Sequence, residues 1–148
     1  MQIIKAFPPN IDQIRKHLPK VADTMVFTWG YVIYTPSGYQ LEPGLIRHEQ
    51  HHADQQAEYG TQSVWGKIVL PRYRIQKWWK RYLEEPAFRL SQEIPAYQLQ
   101  YREYKKVVKD KNKLNRLAVM LAKDLSSPFY GNIMSTTEAV QAITREEL

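Results

Sequence analysis

The stretch Gly44-Leu45-Ile46-Arg47-His48-Glu49-Gln50-His51-His52-Ala53-Asp54-Gln55-Gln56 contains the pattern His-x-x-x-His, with Glu49 directly after the first histidine. On an α-helix, residues four apart lie on one face, one turn from each other. Two imidazoles placed that way can share a zinc ion, and the carboxylate beside the first can reach a water on that ion. The flanks suit a helix. Pro43 is at home in a first turn, Glu42 complements the positive end of the dipole, and Gly60 is a natural stop. The pattern predicts a helix over Pro43 to Tyr59 that aligns His48 with His52.

Working outward, 148 residues with 43% hydrophobic and 24% charged content describe one globular domain large enough to bury a core. The chain has no cysteine, which excludes disulfides and thiolate metal sites. A transition-metal site must then use histidine and carboxylate, and three of the four histidines fall between His48 and His52. Met1 to Pro9 lacks the apolar core and cleavage site of a signal peptide, and no run reaches membrane-spanning length. The expectation is a soluble, cytoplasmic protein, or a virion-associated one if phage-encoded, with no membrane partner.

Upstream of the motif, Ile11 to Leu18 reads as a short helix with Asn10 as N-cap and Pro19 as terminator. Met25 to Tyr34 is rich in β-branched and aromatic residues and predicts one or two strands, with Gly30 at a bulge or bend. Thr35-Pro36-Ser37-Gly38 reads as a turn, and Tyr39 to Leu41 as a short return strand. Downstream, Val64, Trp65, Ile68, Val69 and Leu70 form an apolar patch that fits helix or strand equally well. Arg72 to Glu85 reads as a basic amphipathic helix closed by Pro86. Ala87 to Lys109 reads as a long helix in which Pro95 sets a kink or a new first turn. Its candidate core positions are Phe88, Leu90, Ile94, Tyr97, Tyr101 and Tyr104. Lys113 to Leu125 is helical, and Ser135 with Glu138 forms a capping box for a last helix reaching about Arg145. The fold class is α+β, mostly helical, with one small antiparallel sheet before the motif helix.

A catalytic zinc needs a third protein ligand. Glu93 is the candidate. It lies on a separate helix among residues that read as buried, where a carboxylate is costly unless a cation or donors neutralise it. Asp54 and Glu58 point elsewhere around the motif helix, and His17 reads as a partly exposed helix residue. His51 projects about 100° from its neighbour and reads as a supporting residue rather than a ligand. With zinc in place Glu49 would be the general base. Tyr97 and Tyr130 are candidate donors to a developing oxyanion. A peptide substrate would lie along an exposed edge of the sheet formed by Val26 to Tyr34.

These residues together resemble the small gluzincin-type metallopeptidases, or minigluzincins, of bacteria and their phages. The likeness starts at Thr28-Trp29-Gly30-Tyr31-Val32-Ile33-Tyr34-Thr35-Pro36 and continues through Leu45 to Gln55. It resumes at Tyr82-Leu83-Glu84-Glu85-Pro86-Ala87-Phe88-Arg89 and at Glu93-Ile94-Pro95-Ala96-Tyr97-Gln98-Leu99-Gln100, and it extends to Tyr130-Gly131-Asn132. It implies zinc held by His48, His52 and Glu93, Glu49 as general base, and a minimal thermolysin-like core acting on a peptide or protein.

A second reading, from a different class, starts from charge. Between Arg72 and Arg116 there are thirteen Lys/Arg against five Asp/Glu, a net of +8 in a chain whose total is +6. Arg72, Arg74, Lys77, Lys80 and Arg81 form a candidate anion-binding face, and Tyr73, Trp78, Trp79 and Tyr82 could stack on bases. This describes a non-catalytic module that retains its zinc site, as a phage-particle component, a part of another macromolecular assembly, or a nucleic-acid-associated protein. The alternative for the same charges is a solvated helix surface.

Overall fold

The β-branched and aromatic run around Gly30 folds as a tight hairpin. In the computed structural model, which describes residues 1–18, 20–62 and 70–145, β2 (Phe27–Trp29) pairs antiparallel with β3 (Val32–Tyr34), and Thr28 lies opposite Ile33. Gly30 takes the first of the two turn positions at φ +58°, a conformation that glycine adopts without a steric penalty. The amino-terminal β1 (Gln2–Ile4) adds to β3 in parallel, giving the order β1-β3-β2. The sheet is therefore mixed, whereas the sequence pattern suggested an antiparallel one. Three residues at a chain end carry too little periodicity to reveal such a strand. Tyr39 to Leu41 form no strand either; Leu41 is instead buried.

Six α-helices are present among the described residues. After α1 (Ile11–His17) and α2 (Pro43–Glu58) come α3 (Pro71–Glu84), α4 (Pro86–Val107), α5 (Lys111–Leu125) and α6 (Thr136–Thr144), with a 3-10 turn at Pro128–Tyr130 between the last two. The boundaries follow local chemistry. Glu85 separates α3 from α4 in an extended conformation, as expected of a residue before proline. Asp110 caps α5 by accepting from the Lys113 backbone N–H at 2.8 Å. Asn10 precedes α1 but its side chain makes no capping bond. Pro95 lies inside α4, which runs unbroken past it. The helical bond Pro95 cannot donate would have gone to the carbonyl of Ser91, an exposed residue, so water can take its place. Pro19 and most of the apolar patch, Val64, Trp65, Ile68 and Val69, lie outside the described residues; Leu70 is exposed.

The backbone contacts divide the chain into two compact units that alternate along the sequence. One comprises Met1–Leu41 and Glu49–Glu85, with the sheet, α1, α3 and the later turns of α2. Within it α1 packs on α3, and the rings of Trp78 and Tyr82 stack with centroids 4.8 Å apart. The other comprises Glu42–His48 and Pro86–Leu148. There α4, α5 and α6 pack on one another around Leu90, Tyr97, Tyr101, Leu121, Leu125 and Ile143. Burying a side chain such as Leu125 or Ile143 contributes roughly 1.5–3 kcal/mol.

The capping box forms as the sequence indicates. The Ser135 hydroxyl accepts from the Glu138 backbone N–H at 3.2 Å, and the Ser135 backbone N–H donates to the Glu138 carboxylate at 2.7 Å. That backbone N–H holds the Glu138 pKa below its ordinary value, with the Ser135 hydroxyl adding to the effect. Ser135→Ala is expected to lower stability by about 1 kcal/mol in urea unfolding. A carboxyl whose folded pKa is depressed stabilises the fold above its unfolded pKa and loses that contribution as pH falls through the folded value. The stability gap between the native chain and Glu138→Gln is therefore expected to hold at neutral pH and to shrink in acid below the ordinary carboxylate range.

Candidate metal centre

The helix α2 sets the geometry of the centre. Its continuous run from Pro43 to Glu58 puts His48 and His52 one turn apart, and both are buried. Their ring nitrogens divide into two roles. His48 places Nδ1 3.1 Å from the Gln100 side-chain oxygen, and His52 places Nδ1 2.8 Å from the Gln55 side-chain oxygen. An amide oxygen only accepts, so each imidazole carries its proton on Nδ1 and turns Nε2 and its lone pair elsewhere. In metal sites this partnership fixes the tautomer of ligating histidines.

Nε2 of His48 faces the Glu93 carboxylate at 3.3 Å. Glu93 is only 2% exposed. The ligand atoms of His48, His52 and Glu93 all lie within 4.8 Å of one another, and among the described residues they form the group with metal-ligand spacing. Two ligands on a tetrahedral zinc lie about 3.4 Å apart, since each sits near 2.1 Å from the ion. The His48–Glu93 separation already matches that spacing. Two imidazoles and a carboxylate, with a fourth position open, are also the donor set of a catalytic zinc site.

The supporting side chains come from the helix that bears Glu93. In α4, Glu93, Tyr97, Gln100 and Tyr104 follow one another at helical spacing and are all buried. The Tyr97 ring meets the His48 ring edge-on at 4.7 Å, and the Tyr97 and Tyr130 hydroxyls lie 3.3 Å apart. Gln100 donates its amide N–H to the Tyr104 hydroxyl at 3.0 Å, completing a chain from His48 to Tyr104. Burial pushes the Tyr104 pKa up, partly offset by Gln100, so Tyr104 remains a neutral phenol that can accept that bond. Gly44 allows the close packing: a Cβ there would come within 2.8 Å of the Tyr104 ring and 3.3 Å of the Gln100 carbonyl oxygen. Ala96 has no exposed surface.

Glu49 belongs to the sheet-bearing unit. Its carboxylate accepts the Thr28 hydroxyl at 2.7 Å, and Glu49 itself is 5% exposed. The carbonyl of Thr28 is also engaged, by the Gln56 amide at 2.9 Å and the Trp79 indole N–H at 3.2 Å. Gln56, fully buried, completes its bonding by accepting the Gly30 backbone N–H at 2.8 Å. This has a consequence for the expected substrate edge. β2 is an edge strand, but the Thr28 carbonyl is already saturated from within the chain and is not available to a peptide added alongside.

The remaining candidates stand apart from the cluster of His48, His52 and Glu93. His51 is half-buried on α2 and outside the cluster, as are the exposed Asp54 and Glu58. His17 is exposed, with Nδ1 3.0 Å from the Gln13 carbonyl oxygen. On α3, Trp78, Trp79 and Tyr82 are buried, which removes them as base-stacking platforms; Tyr73 is 47% exposed. Arg72, Lys77, Lys80 and Arg81 are exposed and Arg74 is half-buried. Arg81 is paired with Glu85 at 2.7 Å, an interaction that raises the arginine pKa and lowers that of the glutamate. Sequence reasoning did not assign Thr28 or Gln100 to the site. The signal for Gln100 was its place seven residues after Glu93, two turns along the same helix face.

Against known proteins the chain matches no family model, no curated protein and no solved structure.

The tight seat of Gly44 has a measurable outcome. Gly44→Ala is expected to destabilise the fold by roughly 1–3 kcal/mol in denaturant titration, because the new methyl displaces Tyr104 and crowds Gln100.

Proposed function

We propose that the chain is a zinc-dependent metallopeptidase of the gluzincin type, built on a minimal thermolysin-like core. The observation that carries this reading is the cluster of His48, His52 and Glu93, whose ligand atoms fall within 4.8 Å of one another. Glu49 sits between the two histidines in sequence, its carboxylate oriented by Thr28. His48 and His52 would hold the ion through Nε2 and Glu93 through a carboxylate oxygen. Bound there, zinc would polarise a substrate carbonyl and lower the pKa of its water toward neutrality.

The chain's own residues supply the rest. Glu49 takes the proton of the attacking water on its carboxylate and returns it to the nitrogen of the departing amine. Thr28 donates to one Glu49 oxygen and so restricts the carboxylate's rotation. Gln100 and Gln55 keep the histidine protons on Nδ1. The Tyr97–Tyr130 hydroxyl pair is the candidate donor to the oxyanion.

The test combines metal analysis with hydrolysis of an unstructured protein such as casein. One zinc per chain is expected in the native protein, with hydrolysis abolished by chelation and restored by zinc. Glu49→Gln is expected to keep its zinc and lose about 10²–10⁴-fold in rate. A native protein that takes up no zinc overturns the metal centre, and a zinc-loaded protein as inert as Glu49→Gln overturns the peptidase reading. In a separate titration, Gln100→Leu is expected to weaken zinc binding by about 10–100-fold, since it releases His48 from its tautomer-fixing partner.

A further inference from the structure

The face of α3 opposite its buried aromatics borders a cleft of about 610 Å³, which lies between α1 and α3 at the end of β2. Its walls belong wholly to the sheet-bearing unit, and none of the proposed metal ligands is among them. The volume falls within the range of small-molecule sites. Three cations, Arg72, Lys77 and Lys80, face it against one carboxylate, Asp12. Tyr73, Gln76, Lys77 and Lys80 share one side of α3 at three- and four-residue spacing, with Arg72 in the first turn, while Trp78, Trp79 and Tyr82 fill the other.

A further feature goes beyond charge. Tyr73 and Trp29 bring aromatic rings to the lining, and Tyr73 stays 47% exposed although the Lys77 ammonium sits 4.9 Å from its ring centre. A hydrogen bond to Tyr73 also raises the Lys77 pKa above its ordinary value. Asn10 also forms part of the wall.

We propose that this cleft binds a nucleoside phosphate, with the phosphate against Arg72, Lys77 and Lys80 and the base against Tyr73. The nucleoside phosphate can be a free nucleotide or one residue of a single strand, since both present a planar base beside a phosphate. Stacking on an exposed aromatic beside backbone-tracking cations is the usual means of holding an unpaired base. The proposal is independent of the metal centre.

The test uses the full-length protein with ADP, a fluorescent oligothymidylate, inorganic phosphate and polyglutamate as probes. ADP or the oligonucleotide is expected to bind, and more weakly as salt is raised. Binding of ADP identifies the free nucleotide as a ligand; binding of the oligonucleotide alone identifies a strand. Lys77→Gln with Lys80→Gln is expected to weaken binding by about tenfold or more through lost phosphate contacts, with an unchanged melting temperature because both side chains are exposed. Tyr73→Ala is expected to weaken the nucleotide probes and leave inorganic phosphate unaffected. Failure of both nucleotide probes to bind overturns the proposal. So does polyglutamate binding as tightly as either of them, or nucleotide binding that survives the lysine double substitution or Tyr73→Ala.

Discussion

The imidazole of His48 meets two side chains of one helix, with the Gln100 amide oxygen 3.1 Å from Nδ1 and a Glu93 carboxylate oxygen 3.3 Å from Nε2. Both partners lie on α4, two turns apart, so a single ring fixes the register of the first turns of α2 against that helix. Much of the local composition follows from this. Gly44 is small because Tyr104 and the Gln100 backbone lie where a Cβ would go. Ala96 lies flush in the interior, and Tyr97 packs edge-on against the same imidazole. A carboxylate as buried as Glu93 is costly without a cation or donors around it.

Farther along α2, a second node is made from neutral groups. Gln56, fully buried, uses its amide to join Thr28 and Gly30, and Trp79 adds an indole N–H to the same Thr28 carbonyl. A buried amide left half-satisfied would weaken the fold, so all these bonds must form together. One strand residue thereby reads two helices of its unit: its carbonyl serves Gln56 and Trp79, and its hydroxyl orients Glu49. The arrangement removes β2 as a free template for strand addition while holding rigid the carboxylate that the hydrolytic reading depends on.

The basic segment separates into structural and solvent-facing parts once α3 is seen in three dimensions. Its tryptophans and Tyr82 make core contacts with one another and with His52, while Arg72, Lys77 and Lys80 line a cleft on the other side. Arg81 is neutralised by Glu85 one turn on. A pair this exposed contributes little stability, as surface ion pairs generally do. The excess of positive charge is thus unevenly available, and composition alone could not distinguish a paired arginine from a cation facing open space.

Local rules made much of the protein readable from its residues. Pro43 and Gly60 bracket α2, Ser135 and Glu138 open α6, and Gly30 turns the hairpin, each through chemistry contained within a few neighbouring positions. The spacing of His48 and His52 fixed their shared face, and the exclusion of cysteine confined any metal to histidine and carboxylate. What tertiary structure decided were the pairings between distant positions. The parallel addition of Gln2–Ile4 to β3, the coupling of Gln100 to His48 and the use of Thr28 by Glu49, Gln56 and Trp79 join residues between about twenty and fifty positions apart. No local propensity encodes such partners. They are selected because buried polar groups must be satisfied by whatever the packed helices and strands bring within reach.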